Sequence, residues 1–418
     1  MLRMYKALVV LLAYALLFFL GAATSQAATY YVATTGSDSY PGSLEQPFRT
    51  IIKGASVLRP GDKVLVRAGT YTESIPWSFD FPSGTSWSTA VTLAAYPGET
   101  VTLKGQIDIG GEPRSYIIID GLIIDAINTT MGDAVSINQG SHHIRFQNCE
   151  IKNSYANGVW IGWGNNNGLP SNYNEFINCE IHHNGRGGGT GFPDQAPGYG
   201  RGHALYITTQ NNVFRGNRVH DNGEYGFHVY TGVYPAQQTA NNIIERNTIY
   251  NNGLNTTRYG KVCCGGIVLA SGSGNMAYNN VVYNHPVKGI DVIEGGTNVK
   301  IYNNTFYNNA LDIQALSGGS GYIQNNIAYP RGVSIASGYV TSNNLTSDPG
   351  FANVAKSDFR LLSTSLSAID RGVTLREVIQ DFLGNARPYG STYDIGAYEF
   401  GANQSTAAPA PPRNLSVR

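Results

Sequence analysis

Charge is scarce in this chain. Only 13% of the residues are charged, and 28 Lys and Arg balance 28 Asp and Glu. That argues against a general nucleic-acid binder, which needs surplus cations to neutralise phosphates. Cysteine is rare as well, with 4 residues. No Cys-x-x-Cys pair or Cys/His cluster at zinc-ligand spacing is present. Beyond the N-terminal segment no run is apolar enough to span a bilayer. Also missing are the leucine skeleton of leucine-rich repeats and the blade signature of propellers.

What the chain does have is 50 Gly, 27 Tyr and abundant Asn. Gly and Asn accept turn conformations that other residues resist. Tyr suits a pleated surface. The composition therefore points to an all-β protein with many turns. At the N-terminus, Arg3 and Lys6 precede an apolar run from Ala7 to Leu20, and Ser25-Gln26-Ala27 supplies small residues for cleavage. Residues 1–27 are thus expected to be a secretory signal, leaving a slightly acidic chain that is secreted or held at the cell surface.

Self-similarity is the main signal. One phrase, an alternating apolar strand, an Asn and a second short strand, occurs at His143–Ile151, Asn174–Ile181, Asn212–Val219 and Asn242–Ile249. It returns at Met276–Val282, Val299–Phe306 and Tyr322–Ile327. The recurring Asn148, Asn178, Asn217, Asn247, Asn280, Asn304 and Asn326 are expected to stack as an internal amide ladder. A second phrase reads small-apolar-x-apolar, as in Gly158-Val159-Trp160-Ile161 and Gly289-Ile290-Asp291-Val292. Its apolar members should point inward and its middle residue outward. Coils that cannot bury an apolar face alone must stack to make one core. The expected fold is a right-handed parallel β-helix solenoid. A short amphipathic helix near Thr50–Leu58, capped by Thr50 or a neighbour, should plug its N-terminal end.

Thr29-Tyr30-Tyr31-Val32-Ala33, Gln46-Pro47-Phe48-Arg49-Thr50-Ile51 and Pro60-Gly61-Asp62-Lys63-Val64-Leu65-Val66 closely resemble the opening of bacterial pectate-lyase-like β-helix proteins. Asp348-Pro349-Gly350-Phe351 with Asp394-Ile395-Gly396-Ala397-Tyr398-Glu399 is similar to a C-terminal module that follows such helices in secreted proteins. The expected organisation is a β-helix over 28–345, a capping module over 346–401 and a Pro/Ala/Ser/Thr linker over 402–412. Residues 413–418 resemble the first strand of a fibronectin type III domain, far too little to form one.

The middle residues of the second phrase should form an outward column of Trp160, Tyr206, His228, Val268, Asp291 and Asp312. Beside it a second column should run Asn157, His203, Tyr225, Gly265, Lys288 and Asn309. Loops inserted next to these columns add Arg186, Asp194, Arg201 and Lys261. The resemblance implies an extracellular polysaccharide as partner and β-elimination on uronic-acid polymers as the leading activity. In that reaction a base removes a proton beside a neutralised carboxylate. Lys288, His228, His203 and Asp291 are the candidate catalytic residues. Arg201 and Arg186 could pair the carboxylate. Trp160, Tyr206 and Tyr225 could stack on sugar rings, and Asp291 with Asp312 could hold Ca²⁺, the one cofactor implied. Two other readings stay open: a glycoside hydrolase using Asp291 and Asp312 as paired carboxylates, and a non-catalytic carbohydrate-binding or adhesive surface protein. The chain is expected to be a monomer. Cys149 and Cys179 are expected to stack, as a buried pair or a disulfide.

Overall fold

The computed structural model describes residues 27–163, 168–185, 202–230, 239–254 and 264–402. Arg186, Asp194, Arg201 and Lys261, the segment before Ala27 and the tail after Ala402 lie outside the described residues. Short strands build three long parallel sheets of 12, 10 and 9 strands, here A, B and C. The chain visits them in turn. One coil places His142–Gln147 in sheet A, Glu150–Lys152 in sheet B and Val159–Ile161 in sheet C. Each strand pairs with its counterparts in neighbouring coils, as Phe146 does with Phe176 and Trp160 with Tyr206. This is the parallel β-helix that the repeats predict.

The alternation sets the core. Ile144, Phe146, Ile151, Val159 and Ile161 are fully buried, while Arg145, Lys152 and Trp160 lie on the outer side. Phe146, Phe176 and Phe214 stack at centroid separations of 5.1 and 6.0 Å. One continuous core runs from Val32 to Ala328, and each buried aliphatic side chain is worth about 1.5–3 kcal/mol. The helix Ile51–Ser56 closes the N-terminal end, with Ile51 and Ala55 in that core. Thr50 Oγ1 accepts from the Lys53 amide at 3.1 Å, the expected N-cap.

The amide ladder exists, but its membership differs at one end. Asn217, Asn247, Asn280, Asn304, Asn326 and Asn344 each donate through Nδ2 to the next Oδ1, with Asn344 ending the series. Asn148 and Asn178 do not belong to it. They hold the left-handed turn position, both at φ 53°, and the ladder sites after them are Cys149 and Cys179. Both thiols are buried and free, so the disulfide alternative does not hold. A second ladder, not foreseen, lies between sheets B and C. It links Asn184, Asn222 and Asn252, is interrupted by His285, and resumes at Asn309.

The C-terminal segment packs along the side of the solenoid. Its antiparallel pair Phe351–Asn353 and Asp358–Leu361 puts Phe359 against Tyr283 and Tyr307, each at 5.1 Å. The fully buried Arg387–Glu399 pair anchors it, and Arg387 also donates to Asn279 Oδ1 at 3.1 Å.

Candidate functional site

The outward column on sheet C begins as expected. Trp160, Tyr206, His228, Val268 and Asp291 stand in register through successive coils, about 4.8 Å apart. The next member is Gln314, not Asp312. The neighbouring column departs in the same way, because Lys288 pairs with Leu311 and Asn309 lies in the buried ladder. The physical reason is the corner position. Gly158, Ala204, Gly226, Gly266 and Gly289 occupy it in earlier coils, and Asp312 occupies it in this one. Its carboxylate turns inward, fully buried, and accepts from Asn309 Nδ2 at 2.9 Å and the Arg331 amide at 3.0 Å. Asp312 is therefore off the groove face, and the proposed carboxylate pair with Asp291 does not exist.

The groove has two halves. In the first, Tyr206 stacks on His228 at 5.0 Å, and Tyr230 stacks on it at 5.2 Å. Tyr225 tilts toward the same ring at 5.3 Å. His203, only 1% exposed, lies beneath, its Nε2 2.8 Å from His228 Nδ1. Its Nδ1 receives the Tyr225 amide at 3.3 Å and also lies 3.3 Å from Glu224 Oε2. That last contact is a close charge approach rather than an aligned hydrogen bond. Trp160, partly exposed, crosses the backbone of Gly162 so closely that a Cβ there would meet the indole at 2.3 Å.

In the second half, Lys288 Nζ donates to Asp291 Oδ2 at 2.9 Å and also to Gln314 Oε1. Burial pushes the Asp291 carboxyl up, against the pull of Lys288. Its other oxygen, Oδ1, is buried and has no hydrogen-bond partner among the described residues. Between the halves lie Gly265 and Val268, one coil deep and both buried, with Val268 at 0% exposure. Gly265 cannot be larger, because a Cβ would sit 2.1 Å from the Lys288 carbonyl oxygen.

The structure thus gathers Trp160, Tyr206, Tyr225, His228, His203, Lys288 and Asp291 on one face. Sequence reasoning missed Glu224, Tyr230 and Gln314. Glu224 directly precedes Tyr225, so its place beside the column was a usable signal. Calcium does not fit the described residues. It asks for several oxygens, but Asp312 points inward and Asp291 already meets an ammonium. No group of three or more His, Cys, Asp or Glu among the described residues is arranged to hold a metal ion.

Residues 30–326 match the family model of the Pel9A-like, right-handed β-helix region. Pectate lyase L of Dickeya chrysanthemi is 25% identical over 363 residues, spanning 82% of this chain and 80% of that one. Pectate lyase PEL9 of Emericella nidulans is 25% identical over 223 residues, spanning 50% and 51%. Among solved structures, pectate lyase Pel9A shares the fold with a TM-score of 0.65 at 20% identity, covering 90% of this chain and 97% of that one. A rhamnogalacturonan lyase shares it at 0.56 and 17% identity, covering 81% and 94%.

Proposed function

The chain belongs to the Pel9A-like right-handed β-helix family, and from that footing we propose that it cleaves an extracellular uronic-acid polysaccharide by β-elimination. The observation that carries the reading is the Lys288–Asp291 contact at 2.9 Å on the outer side of sheet C, in one column with Trp160, Tyr206 and His228. Two coils separate His228 from Asp291, about 10 Å.

Lys288 is the proposed base. Its amine takes the proton from the carbon beside the carboxyl group. The electron pair forms the ring double bond, and the glycosidic oxygen leaves with the electrons of its bond. For this the amine must be unprotonated. Asp291, whose carboxyl burial pushes up against the pull of Lys288, holds that nitrogen at 2.9 Å. Trp160 and Tyr206 are proposed to support flanking sugars, since aromatic faces bury apolar sugar surface. The hydrolase reading loses its basis with Asp312 inside the wall. Export through the N-terminal segment belongs to this proposal too, as the family relatives named above act on pectate.

The test is the near-ultraviolet absorbance of unsaturated uronate during incubation with pectate, alginate and glycosaminoglycans. A rise is expected on at least one, and Lys288→Ala should remove it. New reducing ends without that absorbance would indicate hydrolysis instead. Neither signal, with retained glycan binding, would leave a carbohydrate-binding surface protein.

A further inference from the structure

We propose that the outer face of Tyr173 is a second polysaccharide-binding site, beside the groove, which takes one pyranose unit of a long chain. The proposal goes beyond the lyase reading and does not require that the bound chain be cut.

The inference begins with backbone conformation. The turn into sheet A places one residue in the left-handed region in successive coils. That residue precedes Ile117, Ile144, Asn174, Asn212, Asn242 and Asn275, which register and amide bonds set in line. Asn211, Asn241, Gly274 and Asn298 hold the turn in four coils, at φ 58°, 53°, 71° and 50°. Asn and Gly accept that region readily. In the three coils before them the turn is held by Tyr116, His143 and Tyr173, at φ 54°, 56° and 61°. A bulky side chain at positive φ costs free energy that Asn or Gly largely avoids. These coils therefore keep aromatic rings where later coils of the same solenoid use an ordinary turn residue. Strain of this kind collects at functional positions.

Stacking accounts for the inner part of the cluster. Tyr116 and Tyr173, one coil to either side, stack on His143 at 4.7 and 5.4 Å, with interplanar angles of 23° and 14°. Trp87 sets its edge against Tyr116 and His143 at 5.6 and 5.9 Å, and Arg145 lies over the indole at 4.2 Å. The stack ends at Tyr173, because the next residue in register is Asn211. Tyr173 is 50% exposed. Its ring thus forms a braced step, with a side-chain amide on the coil beyond it.

A pyranose has an apolar C–H face and a rim of hydroxyls. A fixed phenol ring suits the face, and an amide, both donor and acceptor, suits the rim. The step lies on the turn from Val159–Ile161 of sheet C, which carries Trp160, to Glu175–Ile177 of sheet A. A chain held on sheet C can therefore be held again at the corner. Two attachments on one polymer multiply in effect. The ligand class is an extended pyranose polysaccharide.

The test uses Lys288→Ala protein, so that the polymer stays whole whether or not the wild type cleaves it. Retardation in gels that contain pectate, alginate or a glycosaminoglycan gives an apparent Kd. Tyr173→Asn installs the residue that later coils use, so its thermal melt should not fall. Its Kd for the polymer that binds best should rise about tenfold. Tyr173→Phe keeps the ring face and should stay within about twofold of the parent. Unchanged retardation of Tyr173→Asn in every gel that retards the parent would overturn the proposal. A parent that no polymer retards would overturn it as well. Tyr173-dependent retardation, with no unsaturated product from the wild type, would sustain this site and remove the lyase reading alone.

Discussion

Asp291 stands in register with Gln314, and one Lys288 ammonium bonds both. The second carboxylate of the expected pair, Asp312, lies on the other side of the wall, inside the solenoid. A two-residue difference in register thus separates a groove residue from a structural one.

Asp312 should matter for stability and not for turnover. Replacing it by Ala strands the Asn309 amide and the Arg331 N–H without an acceptor. The expected cost is about 3 kcal/mol, read from a urea midpoint. Asp312→Asn should restore about half of it. Any activity of the folded fraction should remain at the wild-type level.

Asn247 tests the ladder. Its Nδ2 donates to Phe214 O and Asn280 Oδ1, both at 3.0 Å, and its Oδ1 accepts from the Asn217 amide at 2.8 Å. Asn247→Ala leaves buried donors and acceptors unmatched on both sides. A loss of about 2–4 kcal/mol is expected in equilibrium unfolding.

His285 should make the fold sensitive to acid. It replaces an Asn in the second ladder, and neither ring nitrogen has a hydrogen-bond partner among the described residues. Burial pushes its pKa from 6.5 down to about 3. Between those values the unfolded chain binds a proton that the folded chain refuses. Stability is therefore full above about pH 6.5 and falls as pH drops toward 3, by up to about 1.4 kcal/mol per unit. His285→Asn should flatten that slope in thermal melts taken across the window.

Trp160 should contribute to binding rather than to the chemical step. Trp160→Ala is expected to raise KM for a long uronate polymer several-fold, about 1 kcal/mol, while kcat stays within a factor of about two. A matching fall in kcat would place the indole at the reacting sugar.

The solenoid was legible because alternation and stacking repeat in every coil. Phe146, Phe176 and Phe214 mark the inner face as plainly in the sequence as in space. The exceptions were hidden by the same rule. Ala310-Leu311-Asp312-Ile313 satisfies the small-apolar-x-apolar pattern, yet the true corner residue is Asp312, which is not small and fits because Asn309 bonds it. Asn148 and Asn178 look like ladder members, since Asn also suits the left-handed turn one residue earlier. The link from Tyr225 N–H through His203 to His228 was invisible because it runs between neighbouring coils and not along one strand. Glu224 went unnoticed because it lies just outside the repeated phrase.

A coil stack would unravel from its free end one layer at a time, like thread from a spool. Here the tail is sewn along the flank. Arg246 Nε donates to Phe382 O, Asn279 Nδ2 to Gln380 O, Asn303 Nδ2 to Asp394 O and Asn343 Nδ2 to Arg371 O. These stitches reach successive coils, from the one that carries Ile243–Glu245 to the one that carries Tyr339–Ser342. Tension on the C-terminal strap is thereby shared among several layers at once, and the last coil cannot peel until the seam opens. The flank seam turns a spool into a sheathed rod, with the coil that carries Lys288 among those it ties together.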